Sequence, residues 1–278
     1  MRDVKLYYID RIIGDAGFGA SAPIIVYANK KKYILKTKKD NMQDDSFGIF
    51  NELLAYQLIS YLKYKISPQE VAYLYIDDKF IEDARIAYMG KNIKKESYDN
   101  IVQSKGVNLG IEFLENTMQP SGEIQNKSFI KDIAHIDNYI MNCDRSANNI
   151  NILQDTTKYK KYYAIDFGNA LADGINGELY QNIKDNTLDE LLIGQATNCN
   201  VTLSGNYSLK NDVQKIIKQN RRIKDDYITI RNILKLIIEE FPTEWEPVKY
   251  KNDIIDILAR RMKNKNIFNL SEKCSCIY

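Results

Sequence analysis

The spacing of apolar residues divides the chain into a strand-rich first part and a helix-rich second part. Val4 to Ile9, Ile24 to Tyr27 and Tyr33 to Lys36 are short runs of β-branched and aromatic residues. The polar turn that begins at Ala28 joins the second run to the third, which predicts a hairpin. From Phe50 to Tyr64 the spacing changes: Leu53, Leu54, Leu58, Tyr61 and Leu62 recur near 3.6 residues, the signature of a helix. Ser67-Pro68 follows, and proline discourages helical continuation. Val71 to Ile76 and Lys79 to Ile81 read as two more strands around the turn Asp77-Asp78. Gly106 and Gly110 bracket a short connection and place a boundary there, with 1–110 as one unit and 111–278 as the other. Beyond it, Ser128 to Asn142 carries Phe129, Ile133, Ile136, Tyr139 and Ile140 on one side, with Ser128 as its cap. Two short strands, Ile150 to Leu153 and Tyr162 to Ile165, precede helices over about 209–222, 225–240 and 249–263. Phe241-Pro-Thr-Glu-Trp245 separates the last two.

Charge and composition narrow the chemistry. The 278 residues include 39 Lys+Arg and 37 Asp+Glu, a net charge of +2, which disfavours direct nucleic-acid or membrane binding by bulk charge. The chain has one histidine, His135, which excludes a two-histidine metal site. Its four cysteines (Cys143, Cys199, Cys274 and Cys276) form no disulfide framework. The first residues contain no long apolar run, and no stretch approaches about 18 apolar residues. A cytoplasmic protein is therefore expected, with its chemistry among carboxylates, amides, lysines and glycines.

Four segments carry candidate chemistry. Gly14-Asp-Ala-Gly17-Phe-Gly19-Ala-Ser21-Ala-Pro23 lies between two strands. Glycines there let backbone amides approach a phosphate without interference from a Cβ. Lys36 ends an apolar strand and could meet nucleotide phosphates as a point charge, with Glu52 on the next helix to hold it. Asn142-Cys-Asp144-Arg145-Ser-Ala-Asn-Asn149-Ile-Asn151 sits between a helix and a strand. In it, Asp144 suits proton handling and Asn149 offers a neutral oxygen to a hard cation. Finally, Asp166-Phe167-Gly168 follows an apolar strand, a suitable place for a Mg²⁺-binding carboxylate. Glycine loop, strand lysine, helix glutamate, Asp-x₄-Asn and Asp-Phe-Gly, in that order, are the parts of a protein-kinase-like phosphotransferase.

The chain resembles the HipA-like kinases, particularly the small stand-alone HipA-like kinase domain proteins. Asn142 to Leu153 and Ile165-Asp166-Phe167-Gly168 match their catalytic loop and metal-binding element. Asn51-Glu52, Ser67-Pro68, Pro242-Thr-Glu-Trp245 and Leu258-Ala-Arg260-Arg261 match further family positions, so the likeness spans roughly residues 12 to 263. Two departures set the chain apart from the eukaryotic protein kinases: Asn142 stands where they place a histidine before the catalytic Asp, and no Ala-Pro-Glu follows Asp166.

The resemblance implies an α+β, two-lobed protein-kinase-like fold with a strand-rich N-lobe and a helical C-lobe. It implies transfer of the ATP γ-phosphoryl group to a protein Ser or Thr, with Mg²⁺. Asp144 is then the catalytic residue, and Asn149 and Asp166 hold the metal. Gly17, Gly19, Ser21, Lys36 and Glu52 serve the nucleotide phosphates, and Ser21 is a candidate for autophosphorylation. The adenine-contacting hinge lies within Gly106 to Leu114, at Glu112 and Phe113. The implied partners are ATP, a protein substrate, and an antitoxin or neighbouring protein. Two other readings stay open: a lipid or small-molecule kinase of the same fold, and a nucleotide-binding pseudokinase acting as an interaction module.

Overall fold

The computed structural model describes residues 3–17, 22–39, 47–64, 66, 70–121, 124–140, 142, 145, 150–171 and 227–263. Its first part is a six-stranded sheet built from β1 (Leu6–Tyr8), β2 (Arg11–Asp15), β3 (Ile24–Ala28), β4 (Lys31–Lys36), β5 (Val71–Ile76) and β6 (Gly106–Glu112), in the order β1-β5-β6-β4-β3-β2. β1 runs parallel to β5, and the remaining pairs are antiparallel. Between β4 and β5 lies α1 (Phe47–Tyr61), and between β5 and β6 lie α2 (Asp78–Met89) and α3 (Lys95–Gln103). A second sheet, β7 (Thr117–Met118), β8 (Ile152–Asp155) and β9 (Tyr162–Ala164), accompanies α4 (Lys127–Tyr139), α5 (Tyr227–Glu239) and α6 (Lys251–Lys263). A 3₁₀ turn, Glu246–Tyr250, leads into α6.

Alternation along the strands gives the large sheet two apolar faces. Ile24, Val26, Tyr33, Leu35, Leu74 and Ile76 pack with Phe80 and Ala84 of α2 and Ile101 of α3. On the opposite face, Val71, Leu109 and Ile111 join α1 and the C-terminal helices in the larger core. Every residue of α1 from Ile49 to Ile59 is buried, because the helix lies between sheet and C-terminal helices. A helix buried all round must satisfy its polar residues internally, and α1 carries Asn51, Glu52 and Gln57.

Several sequence expectations change here. Lys79 to Ile81 is helical, not a strand: Asp77 accepts the Phe80 amide at 2.8 Å, capping α2, which then buries Phe80 and Ala84 one turn apart. The capping carboxylate outweighs the local apolar pattern. The strand-rich part thus contains two helices that the periodicity did not reveal. The segment 106–112 is an interior strand, not a short connection. Gly110 is needed because a Cβ there would lie 2.6 Å from Leu74 Cδ1 and 3.3 Å from the Tyr33 ring. The cap of α4 is Asn126, whose side chain accepts the Phe129 amide at 3.1 Å, in place of Ser128. The helices expected at 225–240 and 249–263 are α5 and α6. The helix expected at 209–222, the Ser67-Pro68 break and all four cysteines lie outside the described residues.

Candidate active site

Lys36 and Asp166 meet across 130 positions of sequence: the lysine Nζ donates to Asp166 Oδ1 at 2.8 Å. Strand alternation explains the lysine, since Tyr33 and Leu35 face α2 and α3 while Ile34 and Lys36 face α1. Asp166 follows β9 through Ile165, whose amide donates to the Asn151 carbonyl at 3.1 Å. Asn151 and Asp166 both adopt left-handed backbone, with φ of 47° and 59°. That region costs most side chains energy, and Asn and Asp bear it better than others. The Lys36 charge, partly opposed by burial, holds the Asp166 carboxyl below its ordinary value, so it is ionised at neutral pH.

Helix α1 grips the residues that follow Asp166. Glu52 Oε2 accepts the Phe167 amide at 2.7 Å. Asn51 Nδ2 donates to the carbonyls of Gly168 at 3.0 Å and Ala170 at 2.9 Å. Burial pushes the Glu52 carboxyl up to about 7; the Lys36 charge opposes this, and the Asp166 charge adds to it. Phe167 is fully buried, edge-on to Tyr56 at 5.6 Å. A Cβ at Gly168 would meet Gly48 O at 3.6 Å and Glu52 Oε2 at 3.8 Å, which is ordinary contact. Among the described residues, space alone therefore does not require glycine at 168.

Asp137 organises the chain before Asn151. This carboxylate is fully buried on the apolar side of α4. Its Oδ2 accepts Arg145 Nε at 2.7 Å, and its Oδ1 accepts Asn142 Nδ2 at 2.9 Å and Arg145 Nη2 at 3.3 Å. Arg145 also donates to the carbonyls of Ile150, Asn151 and Ile165, and its guanidinium lies 5.1 Å from the centre of the Phe167 ring. One arginine thus links α4, the approach to β8 and the end of β9. The apolar periodicity gives Asp137 no role. Its signal in the sequence is an acidic residue among Ile133, Ile136 and Ile140, on the face a core would cover.

The other expected site residues fall as follows. Gly17 has φ of 80°, and among the described residues nothing lies within 4 Å of an added Cβ, so backbone conformation accounts for this glycine. Glu112 and Phe113 are half-buried at the end of β6, and their amides are engaged by the carbonyls of Glu70 at 2.8 Å and Lys32 at 2.9 Å. Gly19, Ser21, Asp144 and Asn149 lie outside the described residues. Asn142 and Arg145, which bracket Asp144 in sequence, are both bound to Asp137.

No family model matches the sequence, and no curated protein matches it significantly. A solved structure does. The chain is similar to the crystal structure of a Helicobacter pylori proinflammatory kinase, CtkA, with a TM-score of 0.54 and 13% sequence identity. The match covers 99% of this chain and 100% of that one. This likeness establishes the fold: the chain has an α+β, two-lobed protein-kinase-like architecture. No helix among the described residues is long and apolar enough to cross a membrane.

Proposed function

We propose that the protein is an ATP- and Mg²⁺-dependent kinase that transfers the γ-phosphoryl group to a protein Ser or Thr. The observation that carries this reading is the Lys36–Asp166 pair at 2.8 Å, held from behind by Asn51 and Glu52 of α1. It joins a strand lysine to the carboxylate of Asp-Phe-Gly, the two charges that phosphoryl transfer needs beside a nucleotide. The likeness to a solved kinase structure supports it.

Asp166 fits the metal. It is half-exposed and kept ionised by Lys36, so it offers a hard anionic oxygen. Mg²⁺ asks for one or two carboxylates together with substrate phosphates, not a full protein cage. Asp166 would hold it, together with Asn149, whose role rests on the sequence resemblance. When bound, Mg²⁺ neutralises charge on the phosphates.

In the proposed reaction Lys36 and the amides of the glycine loop bind the ATP phosphates. Adenine meets the carbonyl edge at Glu112 and Phe113 or the amide of Leu114, because the Glu112 and Phe113 amides are engaged within the sheet. Asp144 orients the acceptor hydroxyl and takes its proton as the acceptor oxygen bonds to the γ-phosphorus. The bond from that phosphorus to the β–γ bridging oxygen breaks, and ADP leaves. Positioning and charge neutralisation supply most of the acceleration. An antitoxin or neighbouring protein as a partner rests on the sequence resemblance.

The test offers γ-radiolabelled ATP and Mg²⁺ to the purified chain with a cell protein extract, a lipid mixture and an aminoglycoside in parallel. Label in phosphoserine or phosphothreonine, absent from the Asp144→Ala protein, is the expected result. Label in lipid or aminoglycoside would move the acceptor class. ATP binding without turnover in any arm would favour the pseudokinase reading.

A further inference from the structure

The helices inserted between β5 and β6 reach the base of the glycine loop. The chain enters that loop at Asp15, the last residue of β2, and leaves it at Ala22, which has φ of 47°. The Ala16 amide donates to the Pro23 carbonyl at 3.0 Å and closes the base with one backbone bond. A second closure comes from α3. Ser97 Oγ lies 3.1 Å from Asp15 Oδ1 and 2.9 Å from the Ala22 carbonyl oxygen. The Lys94 amide, at the N-terminus of α3, donates to the same Asp15 oxygen at 3.3 Å. Asn92 O, in the turn between α2 and α3, would lie 3.7 Å from a Cβ on Gly14.

Ser97 is buried although it sits in the first turn of a helix whose neighbours Lys94, Lys95 and Glu96 are exposed. A buried hydroxyl needs partners, and here the partners are the two ends of one loop. A hydroxyl has a single hydrogen, and both partners are acceptors, so the hydrogen is shared or alternates between loop entry and loop exit. Either way the separation of Asp15 from Ala22 is set from outside the hairpin.

We infer that Ser97 is a positioning residue for the phosphate-binding loop: by bridging Asp15 and Ala22 it fixes the two ends of the loop, and with them the Ala16, Gly17 and Ala22 amides, for the nucleotide phosphates. This role for Ser97 rests on the kinase reading above. It gives the α2–α3 insertion a function, since amides held in place before binding lose less freedom when the phosphates arrive. It also predicts a ligand-dependent effect: the pin matters to phosphates and not to adenine, which the opposite end of β6 serves.

Calorimetric titration of the full chain with MgATP and with adenosine tests this. Amide hydrogen exchange at Ala16, Gly17 and Ala22 is measured alongside in nucleotide-free protein. Ser97→Ala should weaken MgATP about three- to tenfold. It should leave adenosine affinity within about twofold and speed exchange at the three amides. Ser97→Thr, which keeps the hydroxyl, should restore both. Asp15→Ala removes the same pin from the loop side and should behave as Ser97→Ala does, should that variant fold poorly. A purely structural serine would leave both ligands unchanged or weaken both equally, and either result overturns the inference, as does unchanged exchange at the loop. Wild-type protein that binds no MgATP overturns the kinase reading and the inference with it. Normal wild-type binding that is undisturbed in Ser97→Ala and Asp15→Ala overturns the inference alone.

Discussion

Asp166 and Glu52 are two carboxyls near one lysine, and the structure drives them in opposite directions. Asp166 faces Lys36 and is depressed, so its contribution to stability is present above its ordinary value of 3.8 and is lost as pH falls through the depressed one. Glu52 is buried and raised to about 7 from an ordinary 4.5. The folded protein therefore holds this proton more tightly than the unfolded chain does. The Glu52 contribution is complete below about 4.5 and is lost as pH rises through about 7. Glu52→Gln keeps the shape and an oxygen for the Phe167 amide while removing the titration. Its melting temperature should depend less on pH than that of the wild type between about 4.5 and 8; superimposable profiles would show that Glu52 does not titrate there. Asp166→Asn is the cleaner probe of the proposed metal-binding carboxylate, because asparagine bears the left-handed backbone at φ 59° as well as aspartate does. It should melt within a few degrees of wild type yet lose at least about 10²-fold in phosphotransfer rate, read with radiolabelled ATP.

At the scale of elements, Arg145 is the joint between α4, β8 and β9. Both it and Asp137 are essentially inaccessible, so removing one partner leaves the other as an uncompensated buried charge. Arg145→Met should destabilise the protein by about 3–5 kcal/mol in urea unfolding followed by tryptophan fluorescence. The double variant Arg145→Met/Asp137→Leu should recover part of that loss, because no lone charge remains. The exposed pairs Lys79–Asp83 and Lys95–Asp99 on α2 and α3 should contribute little by comparison. Helix α1 acts on the backbone instead. Asn51 and Glu52 are adjacent polar residues in a mostly apolar helix, and both fix the chain from Phe167 to Ala170.

Across the whole molecule, the segment between α5 and α6 is tied to the large sheet. β4 pairs with β6 only as far as Leu109, opposite Lys36. Beyond that point Val107 finds partners in the C-terminal part: its amide donates to Glu244 Oε1 at 2.8 Å, and its carbonyl accepts Trp245 Nε1 at 2.9 Å. Lys38, two residues past Lys36, also binds Glu244 Oε1 at 2.8 Å. Trp245 is fully buried, and Tyr73 packs edge-on to it at 5.9 Å while donating to the Glu240 carbonyl at 2.9 Å. Side chains thus replace the missing strand partner and hold the two parts together at the end of the strand that carries Lys36. Trp245→Phe keeps much of the ring but leaves the Val107 carbonyl without its donor, and should cost about 1–3 kcal/mol in equilibrium unfolding.

The order of chemical groups along the chain was decided by sequence alone: the glycine loop, Lys36, Glu52, the Asp144–Asn149 loop and Asp166. So were the strands whose alternation is unbroken and the helices with strong 3.6-residue spacing, because these signals are local. Tertiary structure decided the rest, for reasons that are not local. Lys79 to Ile81 joined a helix because a carboxylate one turn away capped it. The stretch bracketed by Gly106 and Gly110 reads as a connection because the Leu74 and Tyr33 side chains that fill the space above Gly110 come from other strands. Asp137 gained its meaning from an arginine eight residues on, and Ser97, in α3, gained its own from the base of the β2–β3 hairpin. Lys36 was legible as a candidate, but its pairing with Asp166, 130 residues away, exists only once the sheet and α1 are packed. Sequence carries the residue types that charge and geometry require; the long-range contacts between buried polar groups are set by packing, which no short window of sequence contains.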